Sequence, residues 1–328
     1  MKKRVFALLL AGALCAGLAA CGQSTQDTTA AADTAAEADT EAAASEDAEA
    51  ADTEAADAAE TTGSGKVTVY MPSPAGLADK LAEAFTAETG IQVEQFQGTT
   101  GEILARLETE AANPVADVVI LASWSDGLTM KEDGQIMSYT PANADLVNEG
   151  WIDEDSMLFG YSASAVGVIY NTTIYPELSA DWADLAGADY TDDIAIPDPE
   201  KSGACKDFLA GMVTGLDNGE EIMQSWADNG LTVPGANSAA LESVTTGEKG
   251  ILIAGVDYNA YSSMADGEPL SIYYPASGTV VNPRPAMIMN TAPNVDNAQA
   301  FIDFLFSDEA QQMVADAYLL PGRSDIQC

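Results

Sequence analysis

The sequence predicts an α/β protein built on doubly wound, largely parallel sheets, and three observations carry that reading. From Lys66 the hydrophobic pattern alternates strand, helix, strand, helix, strand, with helices long enough to serve as crossovers. The third strand, "ADVVILAS", is apolar throughout, as strands covered on both faces are. The same grammar then resumes at Ala165 and continues to the C-terminus.

Taken in order, "KVTVYM" (66–71) is a β-branched alternating run, turned by "PSPAG" into a helix whose Leu77, Leu81 and Phe85 share a face and whose Gly90 is a stop. "IQVEQFQ" is the second strand, "GTTGE" the turn after it, and "EILARLETEAAN" a helix through Ile103, Leu104 and Leu107. The strand "ADVVILAS" ends in "ASWSD", read as a loop. The middle gives a strand "AVGVIYN" (165–171), a short helix and strand within "DWADLAGADYTDDIAIPDPEKSGA", and the helix "CKDFLAGMVTGL". A strand at "LTV", a helix, the strand "ILIAGV" and another helix follow. "LSIYYPASGTVVNPRPAMIMN" holds two strands. The last stretch is a helix, a break at Ser307–Asp308 with Ser307 as N-cap, and a second helix.

In parallel sheets ligands sit at the carboxyl ends of strands. Here those ends are Ser73, Gly98–Gly101 and Ser123–Asp126, three small polar loops on one rim. "GTTGE" and "EKSGACKD" each precede a helix, so Thr99, Thr100, Ser202, Gly203 and Ala204 offer hydroxyls and unpaired N–H groups to a phosphate or carboxylate. The plainer alternative is that these residues only cap their own helices.

Upstream, the chain opens with Lys2, Lys3 and Arg4, then an apolar run too short to span a bilayer, then small residues, which is the layout of an export signal over 1–20. "LAAC" ending at Cys21 resembles the lipobox of bacterial lipoproteins. That makes Cys21 a lipidated membrane anchor and places the protein outside the cytoplasm, on the cell membrane of a bacterium. Residues 21–65 are nearly all Ala, Thr, Ser, Asp and Glu, with no aromatic, and read as an acidic disordered tether. Its reach is on the order of 35–40 Å.

Acidic residues outnumber basic ones 52 to 12, for a net charge of -40, which disfavours nucleic acid as a partner. The chain contains no histidine. It also lacks a Gly-x-Ser-x-Gly elbow, a P-loop and Cys/His zinc spacing, so an enzyme is not expected and no cofactor is implied. Acidic pairs sufficient for a hydrolase exist by abundance alone, and a non-transport surface binder would use the same fold. If Cys15 leaves with the signal and Cys21 is acylated, Cys205 and Cys328 remain, and their pairing stays open.

The lipoprotein start, "VTVYMPSPAGLADKLAEAFTAETGIQVE", "GTTGEILARLETEAANPVADVVI", "AVGVIYN", "IPDPEKSGA", "GEPLSIYYPASGTVV", "NAQAFIDFLFSDEAQQ" and "LLPGRSDI" together resemble the solute-binding proteins of ABC importers. The nearest branch includes ferric-iron, aminoethylphosphonate, sugar-phosphate and thiamine binders. The resemblance implies a two-lobed class II periplasmic-binding-protein fold, with hinge strands near "SAVGVIYN" and "LSIYYPASG". Lobe 1 is then 66–165 with 280–328, and lobe 2 is 166–279. It further implies a monomer that holds a small anionic solute between its lobes and delivers it to an ABC permease and its ATPase.

Four tyrosines fall close together in "VDYNAYSSMADGEPLSIYYP". On the hinge strand Tyr273 and Tyr274 point to opposite faces and are expected to pack. Tyr258 and Tyr261 follow the strand "ILIAGV" at the cleft side, with Asp257 beside them to take a solute ammonium or hydroxyl. Ferric-binding relatives carry two adjacent metal-ligating tyrosines in this region. "DYNAY" differs in spacing, but in a helix keeps both rings on one face. Fe3+ held as transported solute by Tyr258 and Tyr261 is therefore the alternative.

Overall fold

The computed structural model describes residues 64–327, so the export signal, Cys21, nearly all of the tether and Cys328 lie outside the described residues. Strand β1 (Lys66–Met71) pairs in parallel with β2 (Gln92–Gln97) on one side and β3 (Val118–Ile120) on the other. The crossovers are α1 (Ala75–Thr89) and α2 (Thr100–Glu110). Leu77, Leu81 and Phe85 of α1 are buried, as their four-residue spacing requires, and Gly90 ends the helix in the left-handed region at φ 76°.

A helix, α3 (Trp124–Glu132), follows β3 where the sequence suggests a loop. Its buried positions are only Asp126, Gly127 and Met130, too sparse an apolar stripe to show as periodicity. The short strand β4 (Ile136–Met137) comes next, and then β5 (Phe159–Asn171), which is buried along its whole length and longer than the expected 165–171. The glycine and serines of "FGYSAS" hide the added half.

β5 joins the two halves of the sheet. Further along the chain lie β6 (Ile194–Ala195), α4 (Gly203–Gly215), α5 (Gly219–Asp228), α6 (Asn237–Thr245), β7 (Ile251–Val256), α7 (Asp257–Ala265), β8 (Leu270–Tyr273) and β9 (Val281–Met289). The first part of β5 pairs antiparallel with β9, which pairs antiparallel with β3; its second part pairs with β7 and β8. The resulting order is β2-β1-β3-β9-β5-β7-β6. The strand expected at "LTV" reduces to one bridge, Thr232 to Ala195.

Helices α8 (Val295–Leu305) and α9 (Asp308–Asp316) return to the first half, and Ser307 caps α9 by accepting the Ala310 N–H at 3.1 Å. A short β10 (Leu320–Pro321) then pairs with β5. Each half has its own aromatic centre: Phe85 against Phe301 at 5.1 Å in the first, and Trp182 against Phe208 at 4.9 Å in the second. Cys205 lies fully buried beside the latter group, donating to the Pro197 carbonyl, and burial aided by Asp198 pushes its thiol up to about 12.

Candidate functional site

The carboxyl ends of β1, β2 and β3 face the starts of α4, α6 and α7 across a cavity of about 340 Å³. From the first half it is lined by Pro72–Pro74, Gln97–Thr100, Glu102 and Ala122. The second half contributes Lys201–Gly203, Ala236–Ser238, Tyr258 and Asn259. Four helix N-caps lie on this lining: Pro74 of α1, Thr99 of α2, Ser202 of α4 and Ala236 of α6. The first turn of α7 adds a fifth helix start through Tyr258. Each brings the positive end of a helix dipole to the same space. No N-cap side chain bonds the start of α1, α6 or α7. The Leu77 amide of α1 already meets the Pro74 carbonyl and the Tyr258 amide of α7 meets Asp257, so the amides left to whatever occupies the cavity are those at the very starts of α1 and α6.

Of the residues singled out in the sequence, Ser73, Thr99, Thr100, Ser202, Gly203 and Tyr258 line this cavity. Their hydroxyls are largely committed to the protein. Thr99 Oγ1 accepts the Glu102 N–H at 3.2 Å while the Glu102 carboxylate accepts the Thr99 N–H, a closed capping box. Thr100 Oγ1 accepts the Ala122 N–H, Ser202 Oγ accepts from Cys205 N and donates to Asn237 Oδ1, and Ser73 Oγ lies 2.7 Å from the Tyr161 hydroxyl. What these loops offer a solute is chiefly backbone.

Ser123, Ala204, Asp257 and Tyr261 are not on the lining. Ser123 is fully buried, capping α3 and donating to Asp207 of α4. Ala204 packs into the core behind Gly203. The Asp257 carboxylate is buried behind the lining rather than on it, and its oxygens accept the N–H groups of Ala165 at 3.0 Å and Tyr258 at 2.8 Å. Burial nonetheless pushes this carboxyl up to about 6, against the opposing pull of those amides and of Arg284.

The four tyrosines divide differently from the expectation. The Tyr261 hydroxyl lies 3.0 Å from that of Tyr274, away from the cavity, and burial with this contact pushes the Tyr274 phenol up. Tyr273 donates to the Ala180 carbonyl at 2.9 Å and packs against Tyr170. Tyr258 alone of the four reaches the cavity. Among the described residues there is no cluster of three or more His, Cys, Asp or Glu side chains to add metal donors.

Lys201, Asn237 and Ser238 on the lining, and Arg284 beneath it, escaped the sequence reading. Arg284 had a signal: it stands two residues before Ala286 and four before Ile288, on the buried face of an alternating strand.

The halves also touch directly. The Asp207 carboxylate of α4 accepts from Ser123 Oγ at 3.0 Å, from Trp124 N at 2.8 Å and from Ser125 Oγ, all at the start of α3. Lys206 pairs with Asp126. A Cβ on Gly203 would stand 2.7 Å from the Ala122 oxygen, so glycine permits this approach.

Two α/β lobes joined by a shared long strand, with a polar cavity at the strand ends between them, define a class II periplasmic-binding-protein fold. The chain belongs to the bacterial extracellular solute-binding proteins, whose sequence profile matches residues 113–326. It is 28% identical over 280 residues to iron uptake protein A1 of Synechocystis, covering 78% of this chain and 76% of that protein. It is 25% identical over 258 residues to a putative 2-aminoethylphosphonate-binding periplasmic protein of Salmonella typhimurium, covering 74% and 73%. Among solved structures, the periplasmic binding protein AfuA of Actinobacillus pleuropneumoniae with fructose-6-phosphate superposes at a TM-score of 0.74, with 20% identity over 81% of this chain and 87% of that one. Iron-bound HitA of Pseudomonas aeruginosa gives 0.71, with 22% identity over 81% and 89%.

Proposed function

We propose that the protein captures a small anionic solute, a phosphonate, phosphate ester or carboxylate, between its lobes and delivers it to the permease and ATPase of an ABC importer. The observation that carries this is the convergence of five helix starts on one cavity, three of them without an N-cap side-chain bond. Helix N-termini favour anions through both the dipole and the free amides, and Lys201 adds a cation at the rim. The strongly acidic composition does not oppose this, because salt screens distant charges beyond about 8–10 Å while the amides act at contact. The relatives named for a phosphonate and crystallised with a sugar phosphate support the same class.

On this reading lobe 1 is 66–165 with 280–328, lobe 2 is 166–279, and the receptor works as a monomer tethered through lipidated Cys21. Native mass spectrometry of protein purified without added solute, with thermal-shift titrations of 2-aminoethylphosphonate, fructose-6-phosphate and inorganic phosphate, tests the class. Stoichiometric binding without turnover is expected; turnover, or binding of none of these with no co-purifying anion, would sink it. A second reading, ferric iron, is favoured by the iron-named relatives and by Tyr258 on the cavity. It requires Tyr261 to leave Tyr274, and predicts a visible tyrosinate charge-transfer band in iron-loaded protein. We expect the protein to stay colourless with iron.

A further inference from the structure

In a chain where 52 acidic residues face 12 basic ones, a buried arginine should find a carboxylate. Arg323 does: it is 4% exposed and pairs with Asp308 at 2.6 Å and Asp325 at 2.7 Å. Arg284 is 1% exposed, and among the described residues no carboxylate lies within ion-pairing distance of it. Its donor fork makes one hydrogen bond, from Nη2 to the Pro72 carbonyl at 2.6 Å, and Nε makes none. The nearby Asp257 acts on Arg284 through space but makes no hydrogen bond or ion pair with it; its oxygens face the Ala165 and Tyr258 amides.

The residues beside Arg284 share its condition. Ser162 stands directly opposite Arg284 across the β5–β9 ladder, and Ser164 opposite Asn282, so all four side chains share one face. A register shift at Gly160–Ser162 sets that alignment. Ser162 and Ser164 are fully buried, and neither hydroxyl has a hydrogen-bond partner. Three orphaned polar groups on one buried face are unusual in a folded protein, where such groups are nearly always satisfied. The face looks toward the cleft. Asn282 donates to the Ala122 carbonyl and Arg284 to that of Pro72, and both acceptor residues line the cavity. The guanidinium lies 5.7 Å from the ring centre of Tyr258, which is therefore a wall shared by cavity and cluster.

We propose that Arg284, Ser162 and Ser164 form an anion subsite beneath the cleft floor, taking one carboxylate or phosphate oxyanion. The inference rests on the reading of the cleft as an anion receptor and adds a second, charged point of recognition on the hinge strands. A guanidinium with two hydroxyl donors is complementary to an oxyanion and to no cation. The anion comes either from one end of the solute or from free inorganic oxyanion, and the chemistry of the subsite is the same for both.

The test uses the full mature protein with Arg284→Met and the double variant Ser162→Ala/Ser164→Ala, read by thermal shift with inorganic phosphate and by native mass spectrometry of co-purified solute. Without anion, Arg284→Met should raise the melting temperature, since it removes a buried charge that no carboxylate contacts, Asp257 acting on it only at longer range. If phosphate stabilises the wild type and both variants need about 10- to 100-fold more of it, the subsite takes free oxyanion. If phosphate does nothing but an anionic solute co-purifies with the wild type and with neither variant, the anion is the solute's own. Either result supports the proposal. Equal anion binding by the wild type and both variants overturns the subsite and leaves the cleft reading standing. An Arg284→Met protein that melts lower yet keeps its full anion response also overturns it. A wild type that holds no anion by either measure overturns the cleft reading and the subsite together. Should Arg284→Met fail to fold, the double serine variant decides, because alanine fits both positions.

Discussion

At the scale of single residues, the most informative group is Asp257, a carboxyl that the fold holds at about 6 although three backbone amides and Arg284 pull it down. Burial is the first cause, and it favours the protonated form. An ordinary carboxyl titrates near ~3.9, so between about 4 and 6 the folded state binds more proton than the unfolded one. The group's stabilising contribution is therefore complete below about 4 and is lost as pH rises through about 6, at most roughly 3 kcal/mol in all. Asp257→Asn should remove this slope, so the melting-temperature gap between wild type and variant should move against the wild type from pH 4.5 to pH 7. A constant gap would show that the carboxyl titrates normally. The tyrosines allow a second comparison. Tyr258→Phe should weaken solute binding by about 0.5–3 kcal/mol, depending on whether its hydroxyl meets a neutral or a charged group. Tyr261→Phe, which breaks only the contact with Tyr274, should leave the dissociation constant within about twofold. Calorimetric titration of both variants decides, and equal losses would put Tyr261 back at the solute.

At the scale of elements, what could be read from sequence followed from local pattern. β1, β2 and β3 were legible because their apolar runs are bounded by turns, and the α9 start because Ser307 is a local cap. Two of the three rim loops, at Ser73 and at Gly98–Thr100, were legible for the same reason and line one cavity, whereas Ser123–Asp126 caps and begins α3 off the lining. The α6 start was not legible, since Ala236 carries no cap signature, and α3 was hidden by its thin apolar stripe. Arg284 and its two serines depend on the register between β5 and β9, which pairs residues more than a hundred positions apart and leaves no local trace. The same non-local logic explains Gly203. As the first residue of α4 it reads as a helix-start glycine, yet what requires glycine is the approach of Ala122 and Ser123 from the other lobe. Gly203→Ala should leave the melting temperature of the unliganded protein nearly unchanged, because the added methyl meets nothing within its own lobe at that range. It should weaken solute binding by tenfold or more by obstructing closure. A large thermal destabilisation with intact affinity would instead assign this glycine to folding.

At the scale of the whole molecule, the lobes make polar contacts that are independent of any solute. The Asp207 carboxylate is the centre of them, taking donors from Ser123, Trp124 and Ser125 of the other lobe. The Lys206–Asp126 pair beside it contributes less, since Lys206 is half exposed and such pairs are worth about 0–1 kcal/mol. These bonds favour the closed arrangement, in which water is already excluded from Ser123. A receptor of this kind binds with an apparent dissociation constant set by the intrinsic one divided by the fraction of molecules able to close. Asp207→Ala removes the acceptor, and an open cleft lets water satisfy the three freed donors, so the balance should shift toward open. Asp207 bonds outward to the other lobe while its neighbour Phe208 packs inward on Trp182, so neither lobe should lose its own packing. Three outcomes are expected together: a larger radius of gyration for the unliganded variant by small-angle scattering, solute affinity weaker by about tenfold and carried mainly by faster release, and a melting temperature within a few degrees of wild type. Unchanged scattering with unchanged release would mean that the solute alone holds the lobes together, and that the carboxylate merely caps α3 from across the gap.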